Sequence, residues 1–254
     1  MVISFTNQKG GVGKTTSAVN IAASLGSMDK KVLLVDMDPQ GNASTGVGLM
    51  DRENLVSIYD VLTGGADIKD AVFTTEFQNL DVIPSVIDLA GAELEIAEVD
   101  KRERLLKRAL DGIKEYYDYI IIDCPPSLSL LTINALVASE GFIIPIQCEY
   151  YALEGLVQLM NSVDAVKQYY NPSLSLTGIL VTMYNGRLNF SSRIMADLVK
   201  HYPNELFTTA VTRNVRLSEA PAYGTPVLYY DKFSKGAQSY LAIARELIER
   251  TRNS

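Results

Sequence analysis

The sequence predicts an α/β fold in which a mostly parallel, twisted sheet is flanked by helices on both faces. Short apolar segments rich in β-branched residues alternate along the chain with longer segments whose apolar residues recur at helical spacing. The short segments are apolar at nearly every position, which is typical of strands buried on both sides of a parallel sheet. A glycine-rich loop joins the first of them to the first helical segment, as in α/β domains that bind phosphate.

Each predicted element follows from one of these patterns. The first strand is Val2–Phe5, followed by the glycine loop and by a helix with apolar positions at helical spacing over 18–25. The other predicted strands are 31–36, 80–84, 119–123, 141–146 and 176–182. The other predicted helices are about 101–116, 128–138, 152–170, 191–201 and 236–252, with a short helical stretch at 89–94. Ligands of such folds bind outside the carboxyl ends of the strands, so we expect the functional side chains there.

The length of 254 residues allows one large α/β domain or two small ones. The alternation of strand and helix patterns runs on without repeats or low-complexity linkers. We therefore expect a single domain over 1–254, with no DNA-binding extension before the glycine loop.

Two features of the composition bear on the compartment. Cys124 and Cys148 are the only cysteines, too few for a disulfide framework and without the spacing of metal ligands. The first strand follows Met1 directly, which leaves no room for a signal peptide, and no apolar run approaches the ~18 residues of a transmembrane helix. We expect a cytoplasmic protein.

The charge is unevenly distributed. The net charge of −7 taken alone argues against a nucleic-acid partner. Residues 1–127 contain 12 Lys and Arg against 20 Asp and Glu, whereas residues 187–254 contain 10 against 6. A polyanion would therefore meet the C-terminal part of the chain.

The glycine loop, KGGVGKTT from Lys9 to Thr16, predicts a phosphate-binding loop. Its glycines let successive backbone N–H groups turn towards a phosphate, and the helix N-terminus adds partial positive charge. Lys14 is expected to reach the β- and γ-phosphates and Thr15 to bind Mg²⁺. The residues expected to bind a nucleotide here are Lys9, Gly10, Gly11, Val12, Gly13, Lys14, Thr15 and Thr16.

The loop departs from the common pattern at its start. Gln8 stands six residues before Lys14, where the pattern has a glycine, and a second lysine, Lys9, follows it. Lys9 is too far along the chain from Lys14 to duplicate it, so it requires a separate function.

Three acidic residues end two of the predicted strands. Asp36 is the last residue of the second strand and Asp38 follows two residues later, whereas Asp123 follows the apolar run 119–122. All three are expected to face the phosphate loop. A carboxylate at the end of an apolar strand is typical of Mg²⁺ binding, often through water. We therefore predict that Asp123 is the carboxylate that holds Mg²⁺. Each of the other two alone could also be a turn or helix cap.

Five segments carry a family resemblance: KGGVGKTT at 9–16, DMDPQGN at 36–42, IDCPP at 122–126, QCEYYALEG at 147–155 and RNVRLSEAP at 213–221. Together they resemble the ParA/Soj family of chromosome- and plasmid-partitioning ATPases, nearly from end to end. The loop alone also fits the wider deviant-Walker group, which includes MinD and the nitrogenase iron protein. The last two segments are much narrower signals.

The resemblance implies roles for individual residues. In this family two subunits sandwich two ATP molecules, and Lys9 is similar to the lysine that reaches the partner's nucleotide. Asp38 matches the residue that positions the attacking water, and Asp123 the carboxylate on the Mg²⁺ side. Asn214 matches a residue beside the adenine, and Thr212 stands where the family usually has a proline. ATP and Mg²⁺ are the implied ligands, and Lys9, Lys14 and Asp38 the implied catalytic residues.

The resemblance also implies partners. Soj-like ATP dimers bind double-stranded DNA without sequence preference through arginines, and Arg187 and Arg216 fall at matching places. A ParB-like centromere-binding protein stimulates slow ATP hydrolysis and releases the dimer from the nucleoid. Further basic residues that could extend the DNA surface are Arg193, Lys200, Lys232, Lys235, Arg245 and Arg250.

The alternative is a membrane-cycling positioning ATPase resembling MinD. Such a protein attaches to lipid through a terminal amphipathic helix with bulky apolar and basic residues. An apolar stripe with basic neighbours is present in this chain at Tyr240, Leu241, Ala244, Leu247 and Ile248. It ends at Ile248, and we expect this helix to be the last layer on the sheet rather than a stable membrane anchor.

Overall fold

The computed structural model describes residues 1–51 and 55–252, and it has the predicted α/β architecture. Seven strands form one sheet in the order β3-β4-β2-β5-β1-β6-β7. All neighbouring strands are parallel except the pair β3 and β4. The strands are β1 (Val2–Phe5), β2 (Val32–Asp36), β3 (Phe73–Thr74), β4 (Leu80–Ile83), β5 (Tyr119–Asp123), β6 (Gly141–Gln147) and β7 (Ser175–Thr182).

The α-helices connect these strands and extend the chain beyond the last one. They are α1 (Lys14–Gly26), α2 (Asn42–Gly46), α3 (Ile58–Thr63), α4 (Leu89–Glu95), α5 (Leu105–Asp111), α6 (Leu130–Ala138), α7 (Ala152–Tyr169), α8 (Asn189–His201), α9 (Val215–Glu219), α10 (Val227–Tyr230) and α11 (Lys235–Thr251). Single turns of 3-10 helix lie at Ile68–Ala71, Arg102–Arg104, Lys114–Tyr116 and Ala220–Tyr223.

Every predicted strand is confirmed to within a few residues, and one predicted helix is wrong in detail. The stretch 101–116 is α5 flanked by two 3-10 turns rather than one continuous helix. The sequence reasoning did not predict the edge strand β3 or the short helices α2, α3, α9 and α10.

Helices cover both faces of the sheet because alternate strand residues point to opposite sides. Ile3 and Phe5 of β1 pack into the core beneath α1 and α11, whereas Val2 packs into the core beneath α3 to α6. On β2, Leu34 packs into the core beneath α1 and α11, whereas Leu33 packs into the core beneath α3 to α6. A third core cluster lies between β6, β7, α7 and α8. Burial on both sides explains why these strands are apolar throughout.

The strand register brings the ends of three central strands together. Asp123 at the end of β5 lies beside Asp36 on β2 and beside Phe5 on β1. The glycine loop leaves β1 directly after Phe5. Parallel pairing therefore places two carboxylates and the loop at one edge of the sheet, as the sequence predicted.

The apolar stripe of the terminal helix α11 is buried in the core of the protein. Tyr240, Ala244 and Leu247 are at most 1% exposed and belong to the core shared with α1. The Tyr240 hydroxyl lies 3.1 Å from the Ser17 hydroxyl on α1. The expectation that this helix is the last layer on the sheet is confirmed. Within the described ranges no helix combines the length and apolarity needed to cross a bilayer.

Arg250 on α11 has a structural position, and its assignment to a DNA surface is wrong. Its guanidinium donates hydrogen bonds to the carbonyl oxygens of Thr177, Glu205 and Leu206 at 2.7 to 3.0 Å. It also pairs with Glu246 and lies over the Phe207 ring, 4.4 Å from the ring centroid. The cation is therefore used to join α11 to β7 and to the segment after α8.

We expect Arg250→Ala to lower the free energy of unfolding by about 3 kcal/mol, because several partly buried carbonyls and Glu246 lose their donor. Denaturant unfolding of the purified variant measures the change. Arg245→Ala on the same helix is the matched control, since Arg245 is exposed. Equal stability of the two variants would contradict the structural role.

Candidate nucleotide site

The backbone of the glycine loop is arranged to present N–H groups. Gly11 and Gly13 have φ values of 73° and 84°, a left-handed conformation that favours glycine. The carbonyl of Gly11 accepts a hydrogen bond from the Gln147 side chain at 2.8 Å, and that of Val12 accepts one from the Thr182 hydroxyl at 2.7 Å. In a trans peptide the carbonyl of one residue and the N–H of the next residue point in opposite directions. The N–H groups of Val12 and Gly13 therefore point away from β6 and β7.

A cavity of about 430 Å³ lies in front of this loop. It is bounded by the loop, by the turn after β2 and by Pro126 after β5. Its lining residues are Gly10, Gly11, Gly13, Lys14, Thr15, Thr16, Asp38, Gln40, Asn42, Pro126 and Met183.

Lys14 and Lys9 occupy different environments. Lys14 is 6% exposed, and its ammonium donates a hydrogen bond to the Lys9 carbonyl at 3.1 Å. Burial lowers the pKa of Lys14, and the nearby Asp123, Cys124 and Asp38 oppose that effect. The Lys9 side chain is half exposed at the rim, where its ammonium pairs with Glu149 after β6. Only Lys14 is directed into the phosphate cavity.

Asp36 lies at the end of β2 but does not face the phosphate cavity, so that part of the expectation is wrong. It is fully buried and accepts hydrogen bonds from the Ser44 backbone and hydroxyl at 2.8 and 2.7 Å. Burial raises the pKa of Asp36 to about 6, against the lowering effect of Ser44. Asp36 also accepts from the Asp38 backbone N–H at 3.2 Å, so it fixes the turn that carries Asp38.

Asp38 lines the cavity and is 7% exposed. One carboxylate oxygen accepts a hydrogen bond from the Gln40 backbone N–H at 3.0 Å, which closes a side-chain turn. The side chain is therefore held on a short turn in the wall of the cavity. A carboxylate at that place can orient a water molecule next to a bound phosphate.

Asp123 is fully buried, and neither of its carboxylate oxygens has a hydrogen-bond partner within the described part of the chain. Burial and the adjacent Asp36 raise the pKa of Asp123 well above its usual range, whereas Thr15 and Lys14 act in the opposite direction. An unpartnered buried carboxylate is costly. A cation or its bound water beside Thr15 would satisfy it, so the residues fit a magnesium ion at this place.

A second cavity of about 330 Å³ continues from the first and shares Gly13, Thr16 and Met183 with it. It is lined mainly by apolar groups, with Thr212 and Asn214 among them, and its size suits a nucleotide base and sugar. The Asn214 side chain accepts a hydrogen bond from the Arg216 N–H at 3.0 Å and so caps α9. The sequence reasoning missed Met183 and Tyr240, which also line this cavity.

The predicted DNA-binding arginines lie on neighbouring segments beyond the β7 edge. The segments are joined by the Tyr184 N–H, which donates to the Val211 carbonyl at 2.9 Å. Arg187 is exposed. Arg216 is also exposed, but it pairs with Glu219 at 2.7 Å and with Asp231 at 3.2 Å. The exposed residues that could extend this surface are Arg193, Lys200, Lys232, Lys235 and Arg245.

Comparison with known proteins agrees with this geometry. A family described as an AAA domain matches residues 1–176. The sporulation initiation inhibitor protein Soj of Bacillus subtilis is 51% identical over 97% of this chain and 97% of its own length. The chromosome partitioning protein ParA of Myxococcus xanthus is 50% identical over 98% of this chain and 88% of its own.

A solved structure extends the similarity to the fold. A protein named cobyrinic acid a,c-diamide synthase from Mycobacterium smegmatis, with bound ATP analog and magnesium, has a TM-score of 0.85 and 36% identity. The similarity covers 99% of this chain and 95% of that one. Sequence similarity to both partitioning relatives extends over the loop, the carboxylate turn and the cavity segments described above. The chain belongs to the ParA/Soj family of partitioning ATPases.

Proposed function

We propose that this chain is a DNA-partitioning ATPase whose dimer is assembled around ATP. Two copies enclose two Mg-ATP molecules, and the dimer binds double-stranded DNA of the nucleoid without sequence preference. Slow hydrolysis, stimulated by a ParB-like centromere-binding partner, separates the copies and releases the DNA. The names and near full-length similarity of the relatives support the partitioning role.

The observation that carries the proposal is the separation of the two loop lysines. Lys14 is buried in the phosphate cavity, whereas Lys9 stands at the rim with its ammonium outside. A cation at the rim is placed to reach a phosphate that belongs to a second subunit. Added in trans, it neutralises charge on the transferring phosphoryl group, as an arginine finger does. Dimerisation and hydrolysis are then coupled through one residue.

The remaining residues have separate tasks in hydrolysis. The loop N–H groups and Lys14 bind the phosphates and hold their charge. Asp38 positions the attacking water from its turn in the cavity wall. Thr15 and Asp123 are the residues that would hold magnesium, which when bound neutralises the developing phosphate charge. Thr212 and Asn214 contact the base side of the nucleotide.

DNA binding follows from the basic C-terminal part of the chain. Arg187 is exposed beyond β7, and Arg216 is exposed on α9. Glu219 and Asp231 reduce the local charge at Arg216, so Arg187 is the freer contact to a phosphate. A dimer presents this surface twice, which raises DNA affinity by avidity without altering the surface itself.

The MinD-like alternative has weaker support. A lipid anchor on α11 would need Tyr240, Ala244 and Leu247 at the surface, and all three are in the core. Co-sedimentation with liposomes that depends on residues 237–254 would favour the alternative.

The dimer is tested by replacing Lys9 with alanine. We expect Lys9→Ala to bind ATP within about threefold of the wild type, because its ammonium lies outside the cavity of its own subunit. We expect the ATP-dependent dimer, measured by light scattering, to be lost. Glu149→Gln, which breaks the same ion pair and keeps Lys9, is the control and should still dimerise. A normal ATP dimer of Lys9→Ala would contradict the role in trans.

DNA binding is tested at the two arginines. Each substitution removes two cations from a dimer, so Arg187→Ala should lower DNA affinity about tenfold and reduce the salt slope by about two. Arg216→Ala should have a smaller effect of the same kind, because Glu219 and Asp231 already pair with Arg216. The measurement is DNA retention with ADP and with ATP across salt concentrations. Lys107→Ala on α5 is a matched exposed control. Loss of the ATP dimer in either arginine variant would instead mean a structural role.

A further inference from the structure

Met183, the first residue after β7, has a backbone conformation that is unusual for its residue type. Its φ of 50° lies in the left-handed region, where a side chain conflicts with its own backbone. Within the described ranges, the other residues besides glycine with a positive φ are Asp29, Asn79 and Lys101. All three are exposed, and none of them lines the phosphate cavity or the second cavity. Met183 lines both cavities, so its strained conformation lies at the candidate site.

The segment packed beside Met183 holds it in this conformation. The Val211 N–H donates a hydrogen bond to the Val181 carbonyl at 2.8 Å, and the Tyr184 N–H donates one to the Val211 carbonyl at 2.9 Å. Val211 therefore fixes the chain on both sides of Met183. Strained residues persist where neighbouring contacts fix them in this way, and they are concentrated at ligand sites.

The left-handed conformation changes the direction of the Met183 side chain. The preceding residue, Thr182, donates a hydrogen bond from its hydroxyl to the Val12 carbonyl in the glycine loop at 2.7 Å. In a regular strand the next side chain would point to the opposite face of the sheet. Met183 instead lines the second cavity together with Thr182. The turn at the end of β7 therefore brings both side chains to the same site.

Gln147 connects Met183 to the glycine loop. It is the last residue of β6 and lies beside Thr182 in the register of the sheet. Its amide nitrogen donates to the Gly11 carbonyl at 2.8 Å and to the Met183 sulfur at 2.9 Å. One amide group therefore holds both the loop and the methionine side chain next to it.

We propose that Met183 packs against the nucleoside of a bound nucleotide, at the point where the sugar joins the phosphates. Met183, Gly13 and Thr16 belong to both cavities. The sugar is the part of a nucleotide that connects the base to the phosphates, so it lies at this junction. A flexible, polarisable thioether adapts well to an irregular surface such as the edge of a sugar. The inference rests on the proposed function only in taking a nucleotide as the ligand of the two cavities.

The test compares Mg-ADP with Mg-pyrophosphate, which lacks the nucleoside. Titration calorimetry is done with the full chain, and ADP keeps the measurement apart from the ATP-dependent dimer. We expect Met183→Ala to weaken ADP binding about tenfold, because the nucleoside loses an apolar contact that removes it from water. Pyrophosphate binding should change by less than about threefold, because the glycine loop and Lys14 remain in place.

Two further variants at the same position separate the side chain from the backbone. Met183→Leu keeps an apolar side chain of similar size and should bind ADP within about threefold of the wild type. Met183→Gly removes the side chain and adopts the left-handed φ without strain, so it should bind ADP as weakly as Met183→Ala. Met195→Ala on α8 is the matched control, since Met195 is half-buried and lines neither cavity. It should bind both ligands normally.

Three results would overturn the proposal. The first is wild-type ADP binding by Met183→Ala. The second is wild-type ADP binding by Met183→Gly, because the loss in Met183→Ala would then come from backbone strain. The third is an equal loss of ADP and pyrophosphate binding in Met183→Ala, which would mean a distorted loop. The partitioning role is tested separately by the ATP dimer of Lys9→Ala and by DNA retention, so its failure would leave the nucleoside contact intact.

Discussion

Replacing Lys14 with alanine is expected to abolish detectable ATP binding. The Lys14 ammonium is directed into the cavity in front of the glycine loop and is nearly buried. Charge-assisted contacts with phosphate are about twice as strong as neutral hydrogen bonds, so their loss should cost about 3 kcal/mol, or more than about a hundredfold in affinity. The same ammonium donates to the Lys9 carbonyl, so the variant also loosens the loop. Titration calorimetry with ATP measures the loss.

Two further variants separate charge from shape. Lys14→Met keeps the apolar stem and removes the charge, so it should lose ATP binding almost as completely as Lys14→Ala. Lys107→Ala removes an exposed lysine on α5 and should bind ATP normally. ATP binding by Lys14→Ala within about threefold of the wild type would refute the placement of the phosphates in this cavity.

The central sheet was predictable because burial on both faces requires strands that are apolar at nearly every position, and such segments are easily recognised in the sequence. The strand Tyr119–Asp123 is apolar up to its last residue, which is the carboxylate Asp123. Local sequence therefore determines both the strand and the position of Asp123. The phosphate loop is predictable for a similar reason, since Gly11 and Gly13 adopt conformations that other residues rarely adopt.

The short elements were not predictable because they depend on contacts with distant segments. Helix α9 has five residues and begins at the cap formed by Asn214, while β3 has only two residues paired with β4. Such lengths give no clear periodicity. The break of the 101–116 segment into α5 and two 3-10 turns likewise reflects tertiary packing rather than helix propensity.

The site prediction failed where the role of a residue depends on which groups its side chain contacts in the fold. The sequence grouped Asp36 with Asp38, but only the fold shows that Ser44 turns Asp36 away from the cavity. Tyr240 is more than two hundred residues from the loop by the numbering, and its place in the wall of the second cavity depends on how α11 packs on α1. Arg250 had the same appearance in the sequence as the exposed basic residues. Its carbonyl partners determine its role.

Replacing Asp38 with alanine is expected to leave an ATP-bound dimer that does not hydrolyse. The carboxylate lies in the wall of the cavity. We expect Lys14 and the loop N–H groups to provide the binding of the phosphates. Loss of a positioned acid or base group typically lowers the rate by about a hundredfold or more. We therefore expect kcat to fall by that factor, with the dissociation constant for ATP changed by less than about threefold. Single-turnover hydrolysis and titration calorimetry measure the two quantities separately.

Controls for Asp38 address the turn as well as the charge. The Asp38 side chain accepts from the Gln40 N–H, so alanine could disturb the turn, whereas Asp38→Asn retains an oxygen for that hydrogen bond. Both variants should lose hydrolysis, because neither has a carboxylate to orient the water. Asp164→Ala, an exposed substitution on α7, should hydrolyse ATP normally. If Asp38→Asn hydrolyses ATP at the wild-type rate, Asp38 only supports the turn, and the water must be positioned by another residue that lines the cavity.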